Sequence, residues 1–313
     1  MSNKTTSAKV FAISAFIFTP IAGVAQTAPT IDGTVSISTT TIDVEGSNYR
    51  LNALNVVSDI NFSDSFSIGL DLDNGRQSIS DDITVNLKRF QIEPTWTFEN
   101  GAYVGAYFQT ASTDITFISV TLDNVGVFGG YAQESWSVDA YFGETSTGID
   151  ISAETEARNA GLTFSANPTQ KLELFGHYAR AEIEDSGVTG EISLSALGAE
   201  YAFDNGIMTY AAAGTFEADL LGDTTLKHLA IGTGAKLSEI GLKAPGMLTL
   251  ELARTDGDFG IEQNQVTLGW VFGIGNGNAT PLNGIARIAR GGIRGPFVGG
   301  IGAFGLGEGF SPN

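Results

Sequence analysis

Arg89-Phe90-Gln91-Ile92-Glu93-Pro94-Thr95-Trp96-Thr97-Phe98, followed at once by Glu99-Asn100-Gly101, is the stretch on which the fold turns. Phe90, Ile92, Pro94, Trp96 and Phe98 fall on every second residue, with Arg89, Gln91, Glu93, Thr95 and Thr97 between them. Successive strand side chains point to opposite faces, so this is a strand with one apolar and one polar face, ended by turn residues. The pattern recurs at Phe66, Ile68, Leu70, Leu72, at Trp136, Val138, Ala140, Phe142, and at Val266, Leu268, Trp270, Phe272. Between residues 27 and 274 alternation of period two dominates and helical periodicity is nearly absent.

Outward from that strand, turn residues recur at a spacing of about 35: Ser63-Asp64-Ser65, Glu99-Asn100-Gly101, Gln133-Glu134-Ser135, Asn167-Pro168-Thr169, Asp204-Asn205-Gly206, and a looser one between Ser238 and Pro245. Two strands of roughly 9 to 11 residues, one tight turn and one longer loop fill such a unit. Seven units predict an all-β, transmembrane antiparallel up-and-down β-barrel of about 14 strands, within a range of about 12 to 16. The intervening polar segments 73–82, 144–156, 182–191, 219–225 and 255–263 are expected as longer acidic loops at the opposite end. Phe62, Phe66, Phe98, Tyr103, Tyr131, Trp136, Phe164, Tyr201, Phe203, Tyr210, Trp270 and Phe272 crowd the short-turn end, as an interfacial girdle would. A soluble β-sandwich or propeller is the competing reading, but the non-apolar face is rich in Gly, Ser, Thr and Ala as well as charge, and the spacing is short for a four-stranded blade.

Composition excludes several classes. With no Cys there is no disulfide scaffold and no thiolate metal site. A net charge of −19 argues against a nucleic-acid partner. The 40 glycines show no three-residue period and aromatics make up 10% of the chain, which argues against collagen and simple disorder. Lys4 and Lys9 precede the apolar run Val10–Ala22, and Gly23-Val24-Ala25 offers small residues to a peptidase, so residues 1–25 are expected to be a secretory signal peptide. Residues 26–274 are then the barrel and residues 275–313 a Gly-rich basic tail, carrying +2 against −23 for the barrel.

The chain resembles the outer-membrane porins of Gram-negative bacteria, including the alphaproteobacterial kind, through the signal peptide, the meander from Ile31 to Phe272 and the aromatic strand Gln265-Val266-Thr267-Leu268-Gly269-Trp270-Val271-Phe272. That strand looks like the signal read by barrel-insertion machinery. The chain departs from the family in continuing past that strand with a tail of 39 residues from position 275 and in lacking a segment long enough for an inward-folded constriction loop. The resemblance implies location in the cell outer membrane, contact with its lipid, and passage of small hydrophilic solutes and ions, as a monomer or a trimer.

The expected function is passive diffusion without catalysis or cofactor. Register predicts Asp59, Asp71, Asp73, Arg89, Glu93, Asp139, Lys171, Glu173, His177, Glu200, His228, Lys236 and Glu251 on the pore wall, and the excess of acids predicts cation preference. A structural or adhesive barrel with acidic surface loops is one alternative. An outer-membrane hydrolase built on His177 or His228 is another, although no triad is located. Asp81-Asp82 and Asp256-Gly257-Asp258 could hold Ca²⁺ weakly, but Asp256 to Glu262 lacks the ligand spacing of a calcium loop, so solvated loop charge and no metal site are expected. For the tail, Gly-rich composition favours a free periplasmic extension. The other readings place it in the acidic lumen as a plug carried by Arg287, Arg290 and Arg294, or make residues 283–306 a further hairpin.

Overall fold

The structure is a computed structural model that describes residues 28–44, 46–78, 84–115, 118–149, 155–185, 188–219, 223–260, 262–277 and 284–296. The expected signal peptide, Asp81-Asp82 and the tail beyond residue 296 lie outside them. Fourteen strands follow one another: β1 Thr30–Val44, β2 Ser47–Ser63, β3 Phe66–Ser78, β4 Thr84–Thr97, β5 Ala102–Ile115, β6 Ile118–Gln133, β7 Trp136–Ile149, β8 Thr155–Thr169, β9 Leu172–Asp185, β10 Val188–Ala202, β11 Ile207–Asp219, β12 Asp223–Lys236, β13 Met247–Gly257 and β14 Glu262–Ile274. Each pairs antiparallel with its neighbours, and β1 pairs with β14 from Gly33↔Ile274 to Val44↔Gln263, closing the sheet into a barrel. Closure leaves no edge strand, so every strand finds a ladder partner on both sides.

The alternation read from sequence becomes two surfaces. Ile37, Leu54, Leu72, Val127, Phe142, Leu162, Leu197, Leu229, Ile231, Leu250 and Leu268 are exposed on the outside, with Leu197 at 62%. Their neighbours Asp71, Gln91, Gln109, Asn124, Asn159, Thr163, His177, Thr249 and Thr267 are buried inside. A continuous apolar outer surface with a polar interior inverts the pattern of a soluble barrel and far exceeds the apolar patch a soluble monomer tolerates. Among the described residues no helix is long and apolar enough to cross a membrane; strands provide the apolar band.

The short-turn end matches the turn reading closely. Residues 64–65, 98–101, 134–135, 203–206 and 237–246 separate strands there, and Gly101 and Gly206 take φ of +88° and +74°, which Asn-Gly turns supply without strain. One turn moves. Asn167-Pro168-Thr169 remain in β8, where the register shifts between Ala166 and Thr169, and the turn falls on Gln170-Lys171. Outward rings line this end in pairs: Phe62–Phe66 at 5.7 Å, Phe66–Trp96 at 6.0 Å, Tyr131–Trp136 at 5.7 Å, Tyr201–Phe203 at 4.8 Å and Trp270–Phe272 at 4.4 Å. Tyr103 and Tyr210 do not belong to this girdle. Tyr103 packs edge-on against Phe128, and Tyr210 is buried with its hydroxyl donating to Glu251 Oε2 at 2.5 Å.

At the opposite end the expected long loops are largely strand. β3 runs to Ser78, β7 to Ile149, β9 to Asp185 and β13 to Gly257. With water on both faces beyond the apolar band, polar residues occupy both registers, so the two-residue hydrophobic signal fades while the ladder continues.

Candidate functional site

The inner wall is built from the polar register of the strands, and it is not uniform. On β3 and β4, Asp71, Asp73, Arg89, Gln91 and Glu93 form one charged cluster: Arg89 Nη2 lies 2.7 Å from Asp71 Oδ2, Arg89 Nε donates to Asp73 Oδ2 at 2.6 Å, and Gln91 Nε2 donates to Glu93 Oε1 at 3.0 Å. Asn55 Nδ2 adds a bond to Asp73 at 2.5 Å. Around β9 to β13 the same register carries Ala179, Leu194, Ala196, Ala212, Phe216, Leu226, Ala230 and Ala253, all buried. In a ring of fourteen, β3 and β10 stand seven strands apart, so the charged and apolar walls face one another across the lumen.

Between them lies the tail segment 284–296. Gly275 turns with φ +62°, the backbone amide of Asn276 donates to Asp32 Oδ1 at 2.7 Å, and residues 284–289 form a helix, α1 (Gly284–Ala289). The helix ends in a Schellman motif: Gly291 has φ +77°, its amide donates to Ile288 O at 2.8 Å, and the Gly292 amide donates to Arg287 O at 3.3 Å. Ile285, Ala286, Ile288 and Ala289 are fully buried, packed on β9, β10, β11 and β12. Gly214 leaves the room for this: a Cβ there would lie 2.4 Å from Ile285 Cδ1. Residues 284–289 therefore contribute no strand, which removes the further hairpin as drawn over 283–306. The repeat Ile285-Ala286-Arg287-Ile288-Ala289-Arg290 places paired apolar residues three apart, a helical signal that the sequence reading passed over.

The three arginines meet the wall. Arg287 Nη1 donates to Asp73 Oδ1 at 2.6 Å and its Nη2 bonds Asp71 Oδ1. Arg290 Nη2 lies 2.9 Å from both Glu173 Oε2 and Glu200 Oε2, with Cζ 4.6 Å from the Phe175 ring centroid. Arg294 Nε donates to Glu93 Oε1 at 2.5 Å and Nη1 to Asp139 Oδ1 at 2.8 Å, with Cζ 4.1 Å over Phe128. The wall also binds tail backbone: Arg89 Nη1 donates to Gly292 O at 3.2 Å, Asn124 Nδ2 to Arg294 O at 3.1 Å, and the Gly295 amide donates to Tyr141 Oη at 2.8 Å.

Of the residues expected on the wall, Asp71, Asp73, Arg89, Glu93, Asp139, Glu173 and Glu200 converge on the tail. Asp59 shares their register beside Gly69 and Glu93 but is exposed at the mouth. Glu251 is buried against Tyr210. His177 Nδ1 is 3.1 Å from Thr163 Oγ1 and its ring stacks on Tyr141 at 5.8 Å, while His228 Nδ1 is 2.8 Å from Thr255 Oγ1. The two lysines stand apart from the wall. Lys171 lies in the turn and pairs with Asp204 on the neighbouring turn at 2.6 Å, and Lys236 is exposed where β12 ends. Their register is continuous with the wall, but the strand stops at the rim. Missing from the sequence reading are the lumenal rings Tyr107, Phe128, Phe175 and Tyr210 and the amide network of Asn124 and Asn159, which bonds Tyr107 Oη. The glycine at the paired position marks the inward ring: Tyr107 opposes Gly126, and a Cβ at Gly126 would lie 2.6 Å from the tyrosine ring.

No protein-family model matches the chain, and no curated protein matches it in sequence. Solved structures do match in fold. An anion-selective porin from Comamonas acidovorans superposes with TM-score 0.52 at 13% identity, covering 79% of this chain and 99% of that one. OmpT, an outer membrane protein of Vibrio cholerae, superposes with TM-score 0.50 at 11% identity, covering 80% of this chain and 99% of that one; its loop-deleted form gives the same score and identity, covering 79% of this chain and 100% of that one. The chain is similar to these outer-membrane β-barrels in architecture.

Proposed function

We propose that the protein is an outer-membrane channel for passive diffusion of small hydrophilic solutes and ions, with a preference for cations and with its C-terminal tail, residues 275–313, as a plug. Residues 1–25 direct export and residues 26–274 form the pore in the outer membrane. The observation that carries this reading is the inner wall, where six acids of the expected set, Asp71, Asp73, Glu93, Asp139, Glu173 and Glu200, meet one wall arginine and the three tail arginines, and Asp59 and Glu251 add two acids without an arginine among the described ion pairs. Charges lining a low-dielectric passage concentrate counter-ions and repel co-ions. The hydrolase alternative would need a located triad; the described contacts of His177 are with Thr163 and Tyr141, and His228 Nδ1 lies beside Thr255 Oγ1.

The Comamonas neighbour is described as anion-selective, so selectivity has to come from this chain's own wall. Reversal potentials across a KCl gradient in planar bilayers test it. We expect cation selectivity that weakens as salt rises. Anion selectivity at low ionic strength overturns the reading of the wall, and the absence of conductance from both the full chain and a variant with Arg287, Arg290 and Arg294 replaced by Gln overturns the channel.

A further inference from the structure

The three tail arginines do not sit in equivalent places. Asp71 and Asp73 already have a cation of the wall, Arg89, so Arg287 joins an existing cluster. The other two arginines fill sites with no wall cation in contact among the described ion pairs. Arg290 lies between Glu173 on β9 and Glu200 on β10, over Phe175. Arg294 lies between Glu93 on β4 and Asp139 on β7, with Phe128 beneath it at 4.1 Å and the Tyr107 and Tyr141 rings at 5.6 and 5.4 Å.

Both sites are held by the wall itself. Gln91 donates to Glu93 at 3.0 Å, and Ser165 donates to Glu173 at 3.1 Å. Phe128 lies over Gly105 and Phe175 over Gly198, where an added Cβ would come within 2.3 and 2.2 Å of the rings. Two carboxylates from different strands plus a ring face suit a planar, delocalised, weakly hydrated cation with several fixed donors. They suit a compact ammonium less, because it cannot fork and is held more strongly by water.

We propose that these two sites are guanidinium-binding sites of the pore wall, and that the channel takes up guanidinium-bearing cations, such as arginine and short arginine-containing peptides, with its own tail as the tethered competitor. This rests on the channel reading above. Tethering gives the tail arginines a local concentration in the millimolar range, so dilute free ligand fails to displace them from the intact chain. Removing the two side chains while leaving α1 and Arg287 in place empties the sites and keeps the tail.

The experiment compares methylguanidinium with methylammonium, equal in charge, on full-length R290A/R294A. Single-channel current in 0.1 M KCl and calorimetric titration of the detergent-solubilised protein are read side by side. We expect half-block by methylguanidinium at a concentration about ten-fold below that for methylammonium, saturable heat for methylguanidinium, loss of the difference in R290A/R294A/E93Q/D139N/E173Q/E200Q, and little response from the unaltered chain. Equal block and equal heats for the two cations overturn the proposal. Saturable methylguanidinium binding to a protein that carries no current keeps the sites and overturns the channel, whereas a conducting pore without preference does the reverse. If R290A/R294A does not refold, R290Q/R294Q keeps most of the side-chain volume without the charge and takes its place, and absence of methylguanidinium preference there rejects the sites.

Discussion

The β3–β4 wall and the β9–β12 wall hold the same short tail segment by different physics. On the β3–β4 side the contacts are ionic: Arg287 on Asp71 and Asp73, and Arg294 on Glu93. On the β9–β12 side Ile285 and Ile288 join Leu194, Ala196, Ala212, Phe216 and Ala230 in one buried apolar cluster, to which Arg290 adds a single ionic contact with Glu173 and Glu200. Ionic contacts weaken as the Debye length falls from about 10 Å at 0.1 M salt to about 3 Å at 1 M. Apolar burial has no such dependence and strengthens with structure-making salts. The apolar wall therefore sets whether the tail is held, and the charged wall sets how its hold responds to ionic strength.

The largest effect expected comes from breaking the apolar side. Ile285→Ala and Ile288→Ala each remove a fully buried side chain, at about 2 to 5 kcal/mol apiece, against a helix of six residues that has no stability of its own. The double variant should release the tail at every salt concentration. Protease access at Arg287 and Arg290, with conductance recorded at 1 M KCl, measures it. A tail that stays protected in the double variant would make the ionic wall sufficient and invert the comparison.

Next in size is a contrast of the two barrel faces on which both walls depend. Leu250 and Leu268 point outward, while Thr249 and Gln91 beside their register point inward. Leu268→Arg should cost about 2 to 4 kcal/mol if it lies at the bilayer midplane, whereas Thr249→Arg should change conductance more than stability. Denaturant unfolding in lipid vesicles alongside single-channel recording separates the two. Equal stability losses would mean that the faces are not distinguished by lipid.

How far the sequence carries this far depends on where water sits. Within the apolar band one register is greasy and the other polar, so Phe90, Ile92, Trp96 against Arg89, Gln91, Glu93 spells the strand, its facing and its partners. Beyond the band both registers are polar, so the strand ends Asp73–Ser78 and Glu144–Ile149 read as loops although they are paired. Register places Asp71, Glu93, Asp139, Glu173 and Glu200 on one inward face, but it cannot say that residues 90 to 216 positions later in the chain reach them. That pairing depends on α1 packing, and α1 depends on an apolar patch assembled from Ala residues of four strands, each of which reads only as small. Tyr103 and Tyr210 were misplaced for a related reason: proximity to a turn outweighed parity along the strand.

Ionic strength tests the charged wall. Arg287→Gln removes two charge-assisted bonds, worth about 1.5 to 3 kcal/mol each where desolvated, and leaves Asp71 and Asp73 with Arg89. Conductance should rise relative to the parent chain at 0.05 M KCl, and the difference should narrow at 1 M without vanishing, because pairs this buried are screened less than exposed ones. A difference that is equal at both concentrations would assign the Arg287 contribution to packing of its aliphatic stem instead.

The smallest effect belongs to an ion pair of the same length in another place. Lys171 and Asp204 are 2.6 Å apart, as are Arg287 Nη1 and Asp73 Oδ1, but their side chains are 43% and 84% exposed where those of Arg287 and Asp73 are 14% and 21%. At the rim, water solvates both charges whether or not they touch, and holding two mobile side chains together offsets the attraction. Lys171→Ala should therefore leave heat-modifiable folding, insertion and conductance as they are in the parent chain. The same substitution at Arg287 should be visible in all low-salt recordings. If Lys171→Ala alters selectivity as strongly as Arg287→Gln does, the rim, and not the two facing walls of the lumen, controls which ions enter.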